Sequence, residues 1–194
     1  MIARVGGPQV THATAFSGLN RIRNGVTCSS TGLCDRHHKP GCAPTVLAVD
    51  NCVFCCIVSG DAPATRVLET DSVLAFLDIR PIARGHVLVV PKTHASDLDD
   101  LEPSLGASVF AAGQQLSRAM RRSDLRADGA NLVVNDGKAA FQTVFHTHLH
   151  VVPRWTGDKL RFATGFVTRR SRRPEETADA IRTGLRRLSE ENDA

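Results

Sequence analysis

Between Phe145 and Pro153, His146, His148 and His150 alternate with Thr147, Leu149 and Val151. A strand turns successive side chains to opposite faces and advances about 3.3 Å per residue, so a strand here sets three imidazoles on one face, roughly 6.6 Å apart. Thr147, Leu149 and Val151 then point into the core. The chain is expected to build a sheet with this row of histidines on one side and packed apolar residues on the other.

The remaining pattern supplies partners for that strand. Thr65–Glu69 and Ser72–Ile79 read as two strands around a turn at Thr70-Asp71. His86–Val90 is an apolar, β-branched strand ended by Pro91, and Asn131–Asn135 is another, closed by the turn signal Asp136-Gly137. From Pro103 to Arg122, Leu105, Val109, Ala112, Leu116 and Ala119 recur at helical spacing. Pro174 followed by Glu175 and Glu176 opens a last helix with Ala178, Ile181, Leu185 and Leu188 on its inner face. Short connections with one inserted helix predict an α+β fold: an antiparallel sheet of about five strands, one long inserted helix and a C-terminal helix.

Composition sets the limits. At 194 residues, 42% hydrophobic and 23% charged, the chain suits one globular domain. No apolar run approaches the roughly 18 residues that cross a bilayer, and Met1–Gln9 lacks the apolar core of a secretory signal. The expected location is the cytoplasm, with no membrane partner. A net charge of +4 is too small to announce nucleic acid. The run Arg169-Arg170-Ser171-Arg172-Arg173 has no interleaved aromatics and reads as a solvated loop. Residues 1–50 have no sustained period of 2 or 3.6 and read as a disordered extension, which places the folded domain at 51–194. Cys28, Cys34, Cys42, His37 and His38 in that extension match no familiar zinc spacing. Cys52-x-x-Cys55 has the spacing of a zinc or redox pair, with Cys56 expected as a buried bystander.

Two chemistries use a row of imidazoles. The rings can bind a catalytic metal. Alternatively the central imidazole attacks phosphorus and holds a nucleotidyl group until water releases it. The second route needs one ring nitrogen held by an acceptor, so that the other is unprotonated, and donors around the phosphate oxygens.

The stretch Gln142 to Val152 resembles the signature of the histidine triad (HIT) family of nucleotide hydrolases and transferases. The likeness extends over about residues 51–155 through Cys52-Val53-Phe54-Cys55, Leu74 to Ile79, Gly85 to His94 and Asn131 to Asn135, in the family's order. The resemblance implies that His148 is the nucleophile and His150 a phosphate contact. It implies that Asn135, Gln142 and Thr143 line the phosphate site, that Asp78 binds the ribose hydroxyls, and that Phe54, Ile57, Phe76 and Ile79 form the base slot. It further implies a structural zinc on Cys52, Cys55, His94 and His146, with no catalytic metal, and a two-fold homodimer. The activity implied is hydrolysis or transfer at the α-phosphate of a purine nucleotide conjugate, either a nucleoside phosphoramidate or a dinucleoside polyphosphate. Two rivals stand beside it: a metalloenzyme with all three histidines as ligands, and a nucleotide-binding scaffold with weak chemistry. One position departs from the family's pattern. Where Gly usually precedes the glutamine, this chain has Phe141.

Overall fold

The structure is a computed structural model that describes residues 52–168 and 173–193. The expected extension 1–50, its cysteines and histidines, and Arg169, Arg170 and Arg172 lie outside the described residues. In chain order the elements are α1 (Val53–Ser59), β1 (Arg66–Glu69), β2 (Val73–Leu77), β3 (Val87–Pro91), α2 (Pro103–Arg122), β4 (Gly129–Val134), β5 (Leu149–Arg154), α3 (Lys159–Thr168) and α4 (Pro174–Asp193). The strands form one antiparallel sheet in the order β1-β2-β3-β5-β4. This is the expected α+β architecture, with two further short helices, α1 and α3.

Strands β2 and β3 are apolar at every position because both of their faces are covered. Val73, Ala75, Leu77, Val87 and Val89 face a large core with Leu149, Val151 and the buried side chains of α2 and α4. Their neighbours Leu74, Phe76, Leu88 and Val90 point the other way, onto Phe54 and Ile57 of α1. Helix α1 ends where Gly60 takes a left-handed backbone, φ +90°. Helix α2 starts where the Glu102 carboxylate accepts from the Leu105 N–H, with Pro103 in the first turn. Helix α3 is tied to the end of β5 by Asp158, which takes two bonds from the Arg154 guanidinium at 2.6 and 2.9 Å. That bonding holds the Asp158 carboxyl down at about 2.

Helices α2 and α4 cross closely because Gly184 has no side chain. A Cβ there would stand 2.1 Å from the backbone oxygen of Ala119. Replacing a helix-interior Gly with Ala ordinarily gains about 1 kcal/mol, whereas forcing extra volume into a packed contact costs about 1–3 kcal/mol. The obstruction here is backbone and cannot rotate away, so packing wins. Gly184→Ala should therefore destabilise the protein by about 1–2 kcal/mol in urea unfolding. A raised unfolding midpoint would show that the helices separate without cost.

Candidate functional site

The histidine row is not a continuous strand. β5 begins at Leu149, so His146 and His148 precede it. The cause is visible in the backbone. His146 N–H turns back to the Val144 carbonyl at 2.9 Å, Thr147 N–H bonds to Ala95 O at 2.7 Å, and Thr147 Oγ1 donates to Asp97 O at 2.9 Å. The segment is stitched to residues 95–97 before it joins β3. The alternation of faces survives all the same. His150 is paired with Leu88 and Val133, and it turns with Leu88 toward the α1 side of the sheet. The Phe54 ring stands edge-on to His148 and His146 at 5.2 and 5.9 Å, and the His148 and His150 rings are 4.8 Å apart.

Each ring has its own task. His148 Nδ1 lies 2.8 Å from the carbonyl of His146, an atom that only accepts. Nδ1 therefore carries the proton, and Nε2 is left with a free lone pair. Burial lowers the basicity of the His148 ring, while the His146 carbonyl and the Asp78 charge act in the opposite sense. His146 is fully buried, and burial drives its pKa down to about 4 despite the bond to Pro91 O. Both rings are neutral at physiological pH.

The ring of His146 belongs to a different cluster from the other two. Its Nε2 donates to Pro91 O at 2.9 Å, leaving Nδ1 unprotonated and 3.5 and 3.6 Å from the Sγ atoms of Cys52 and Cys55. His94 Nδ1 lies 3.3 Å from Cys55 Sγ. In a tetrahedral zinc site with Zn–S of about 2.3 Å and Zn–N of about 2.0–2.1 Å, nitrogen and sulfur ligands stand about 3.5 Å apart. The four donor atoms lie within 4.8 Å of one another. Two thiols and two imidazoles, one of them fixed through its second nitrogen, form a closed set compatible with a structural zinc. Cys56 lies outside the set and is half-buried rather than fully buried.

Asp78, His86 and His150 make a second cluster of potential ligands. Its contacts run in series. Asp78 Oδ2 is 3.3 Å from His86 Nδ1, His86 Nε2 is 3.0 Å from His150 Nδ1, and Asn135 Nδ2 is 3.5 Å from His150 Nε2. The Asn135 amide group donates, so His150 Nε2 accepts, His150 Nδ1–H donates to His86 Nε2, and His86 Nδ1–H points at Asp78. The Ile82 N–H approaches the same His86 nitrogen at 3.3 Å and favours the opposite tautomer. The full charge on the carboxylate outweighs that single dipole. His86 uses both nitrogens on different partners, which makes this a hydrogen-bonded relay rather than a metal nest.

His86 was not singled out by the sequence reading. The signal was present: a histidine in phase with Leu88 and Val90 at the head of an apolar strand is buried, and a buried imidazole needs partners.

The other expected site residues are placed unevenly. Gln142 is buried, and its amide is fully engaged: Oε1 accepts from Gly137 N–H at 2.8 Å, while Nε2 donates to Ser96 O and Val144 O. Thr143 beside it is exposed. Phe54, Ile57 and Phe76 pack together under α1, whereas Ile79 stands apart, 82% exposed, next to Asp78.

An antiparallel α+β sheet whose Cys₂His₂ cluster and buried imidazoles meet under one short helix defines a narrow class of protein. A family model described as the HIT domain matches residues 59–157. An uncharacterised HIT-like protein of Mycobacterium tuberculosis is 51% identical over 134 residues, covering 69% of this chain and 92% of that protein. An adenylylsulfatase of Arabidopsis thaliana is 36% identical over 138 residues, 71% of this chain and 69% of the plant protein. Among solved structures, a zinc-bound histidine triad family protein from Mycobacterium smegmatis is 54% identical with a TM-score of 0.68, covering 73% of this chain and 97% of that one. The chain belongs to the HIT family, whose fold is that of nucleotide-binding proteins and hydrolases. No helix among the described residues is long and apolar enough to cross a membrane.

The metal cluster yields a direct test. Purified protein should hold about one zinc per chain. Cys52→Ser should lower the melting temperature by at least about 5 °C while changing nucleotide affinity far less. Metal-free protein with an unaltered melting curve would remove the zinc from the fold.

Proposed function

We propose that this protein hydrolyses purine nucleotide conjugates at the α-phosphate, with His148 as the nucleophile. The observation that carries the reading is the bond from His148 Nδ1–H to the His146 carbonyl, which leaves Nε2 as an unprotonated lone pair on a buried ring. Nε2 attacks the α-phosphorus, a phosphorus–nitrogen bond forms, and the bond to the leaving group breaks with its electron pair going to that group. Water then attacks the same phosphorus and releases a proton, which balances the proton that the leaving group takes up from solvent. The bond to His148 breaks, the nucleoside monophosphate leaves, and Nε2 recovers its lone pair.

The other residues bind and orient. Asn135 and Thr143 donate to the phosphate oxygens, and His150, its ring held by the Asp78–His86 relay, accepts one N–H of the Asn135 amide and so aims the other at the phosphate. Gln142 serves through the loop it closes, since both of its N–H bonds are committed. Asp78 accepts from the ribose hydroxyls, and Phe54 and Phe76, with Ile57 behind them, line the base slot and Ile79 covers it from the solvent side. A zinc on Cys52, Cys55, His94 and His146 would clamp the residue whose carbonyl orients His148 and would hold no reacting atom. The dimer would form along the edge strand β4, where Val133 and Val134 are exposed.

Steady-state and binding measurements on two variants test this reading. His148→Ala should reduce turnover of an adenosine phosphoramidate by at least about 10³-fold while largely preserving AMP binding, because the loss falls on the transition state. Asp78→Ala should weaken ribonucleotide binding by about 1–3 kcal/mol and cost a 2′-deoxynucleotide less. Near-parental turnover by His148→Ala would overturn the assignment. Tight AMP binding with no turnover by the parent would favour the scaffold reading.

A further inference from the structure

Phe141 breaks two local rules together. Its backbone is left-handed, φ +65°, a conformation that a side chain with a Cβ adopts only at a cost. Its ring is 83% exposed, although a phenyl ring is among the groups that gain most from burial. Nothing in the turn requires either feature, since glycine would close the same loop without strain. An exposed apolar ring held on a strained backbone points to a residue present for what it touches.

The loop that carries the ring is closed by its own hydrogen bonds and lies between Asn135 and the histidine row. Gln142 N–H donates to Gly137 O at 3.1 Å, Gly137 N–H donates back to Gln142 Oε1 at 2.8 Å, and Phe141 N–H donates to Lys138 O at 3.0 Å. Gln142 also anchors the loop to Ser96 O. Just before it, Asn135 reaches His150, and just after it the chain enters His146. Phe145 on the same rim is 43% exposed, and the Lys138 ammonium lies 5.9 Å from the centre of its ring. The turn therefore carries a bare aromatic ring and a cation on the segment between Asn135 and Thr143, two of the residues expected at the phosphate. A planar base joined through a chain of phosphates matches both, ring against ring and anion against ammonium. A small departing group such as ammonia would use neither.

We propose that Phe141 selects the leaving group: its ring stacks on the second nucleobase of a dinucleoside polyphosphate, with Lys138 facing the intervening phosphates. The position of the phosphates rests on the proposed reading of the site, and which half departs rests on His148 as nucleophile; the stack itself is read by binding alone. Calorimetric titration of the full chain with a hydrolysis-resistant, methylene-bridged diadenosine tetraphosphate and with AMP separates the two questions. Phe141→Gly and Phe141→Leu should each weaken the dinucleotide about tenfold more than AMP, the scale of one base–aromatic stack, and Phe141→Trp should preserve the preference. Leucine keeps apolar bulk and removes the aromatic face, so its loss isolates stacking. Equal weakening of both ligands, or tighter dinucleotide binding by Phe141→Gly, would overturn the proposal, the latter by marking the ring as an obstruction. The tenfold difference on substitution, found together with a parent protein that hydrolyses neither a phosphoramidate nor a dinucleotide, would count against the nucleophile and uphold the stack.

Discussion

The bond from His148 Nδ1–H to the carbonyl of His146 is the contact on which the rest of the site depends. It joins the Cys–His cluster to the His148 ring through one residue. The His146 ring faces the cysteines through Nδ1 and is fixed on Pro91 O through Nε2, while its backbone oxygen sets the tautomer of His148. A residue held at both ring nitrogens cannot shift its carbonyl without breaking a buried contact. Burial lowers the basicity of both rings, as a zinc-ligand nitrogen and the proposed attacking nitrogen each require. Among the described residues, no buried side-chain nitrogen or oxygen lacks a partner. The cluster is polar, and it is satisfied.

The sheet makes this arrangement available by being covered on both faces. Its larger core, with α2 and α4, fixes the register of β3 and β5 and so sets Leu88 opposite His150. The smaller core under α1 brings Phe54 against His146 and His148 and carries Cys52 and Cys55 to the same end. The Cys–His cluster thus links the segment entering α1 to the segment before β5 across 94 positions of sequence. Asp78 and His86 reach His150 because the ladder continues one pair past β2, with Asp78 N–H bonded to His86 O.

Much of this was legible in the sequence wherever a period and a stop signal coincided. Helix α2 spans Pro103–Arg122 and α4 opens at Pro174, because each has an apolar stripe and a proline in its first turn. The antiparallel sheet followed from five apolar runs between turn residues. Helix α1 was hidden: seven residues rich in Val, Ile and Cys have no capping side chain and suit a strand equally well. The continuous apolar runs of β2 and β3 held the missing clue, since such strands need a cover on each side. The start of β5 was misplaced because alternation fixes faces but not hydrogen-bond partners, and Thr147 bonds to Ala95 and Asp97 instead of to a neighbouring strand. The commitment of Gln142 to its own loop depends on contacts with Ser96, which no local pattern reveals.

The proposed nucleophile requires the Nε2 lone pair of His148 to react with phosphorus, and trapping the product of that reaction is the direct measurement. A phosphorus–nitrogen bond is labile in acid and persists in base. Incubation with a nucleotide conjugate labelled at the α-phosphate, followed by a rapid alkaline quench, should leave label on the chain that mild acid removes. Peptide mapping should place it on His148 and on neither His146 nor His150. Turnover that proceeds on this timescale with no label on His148, or with label on another residue, would contradict the account.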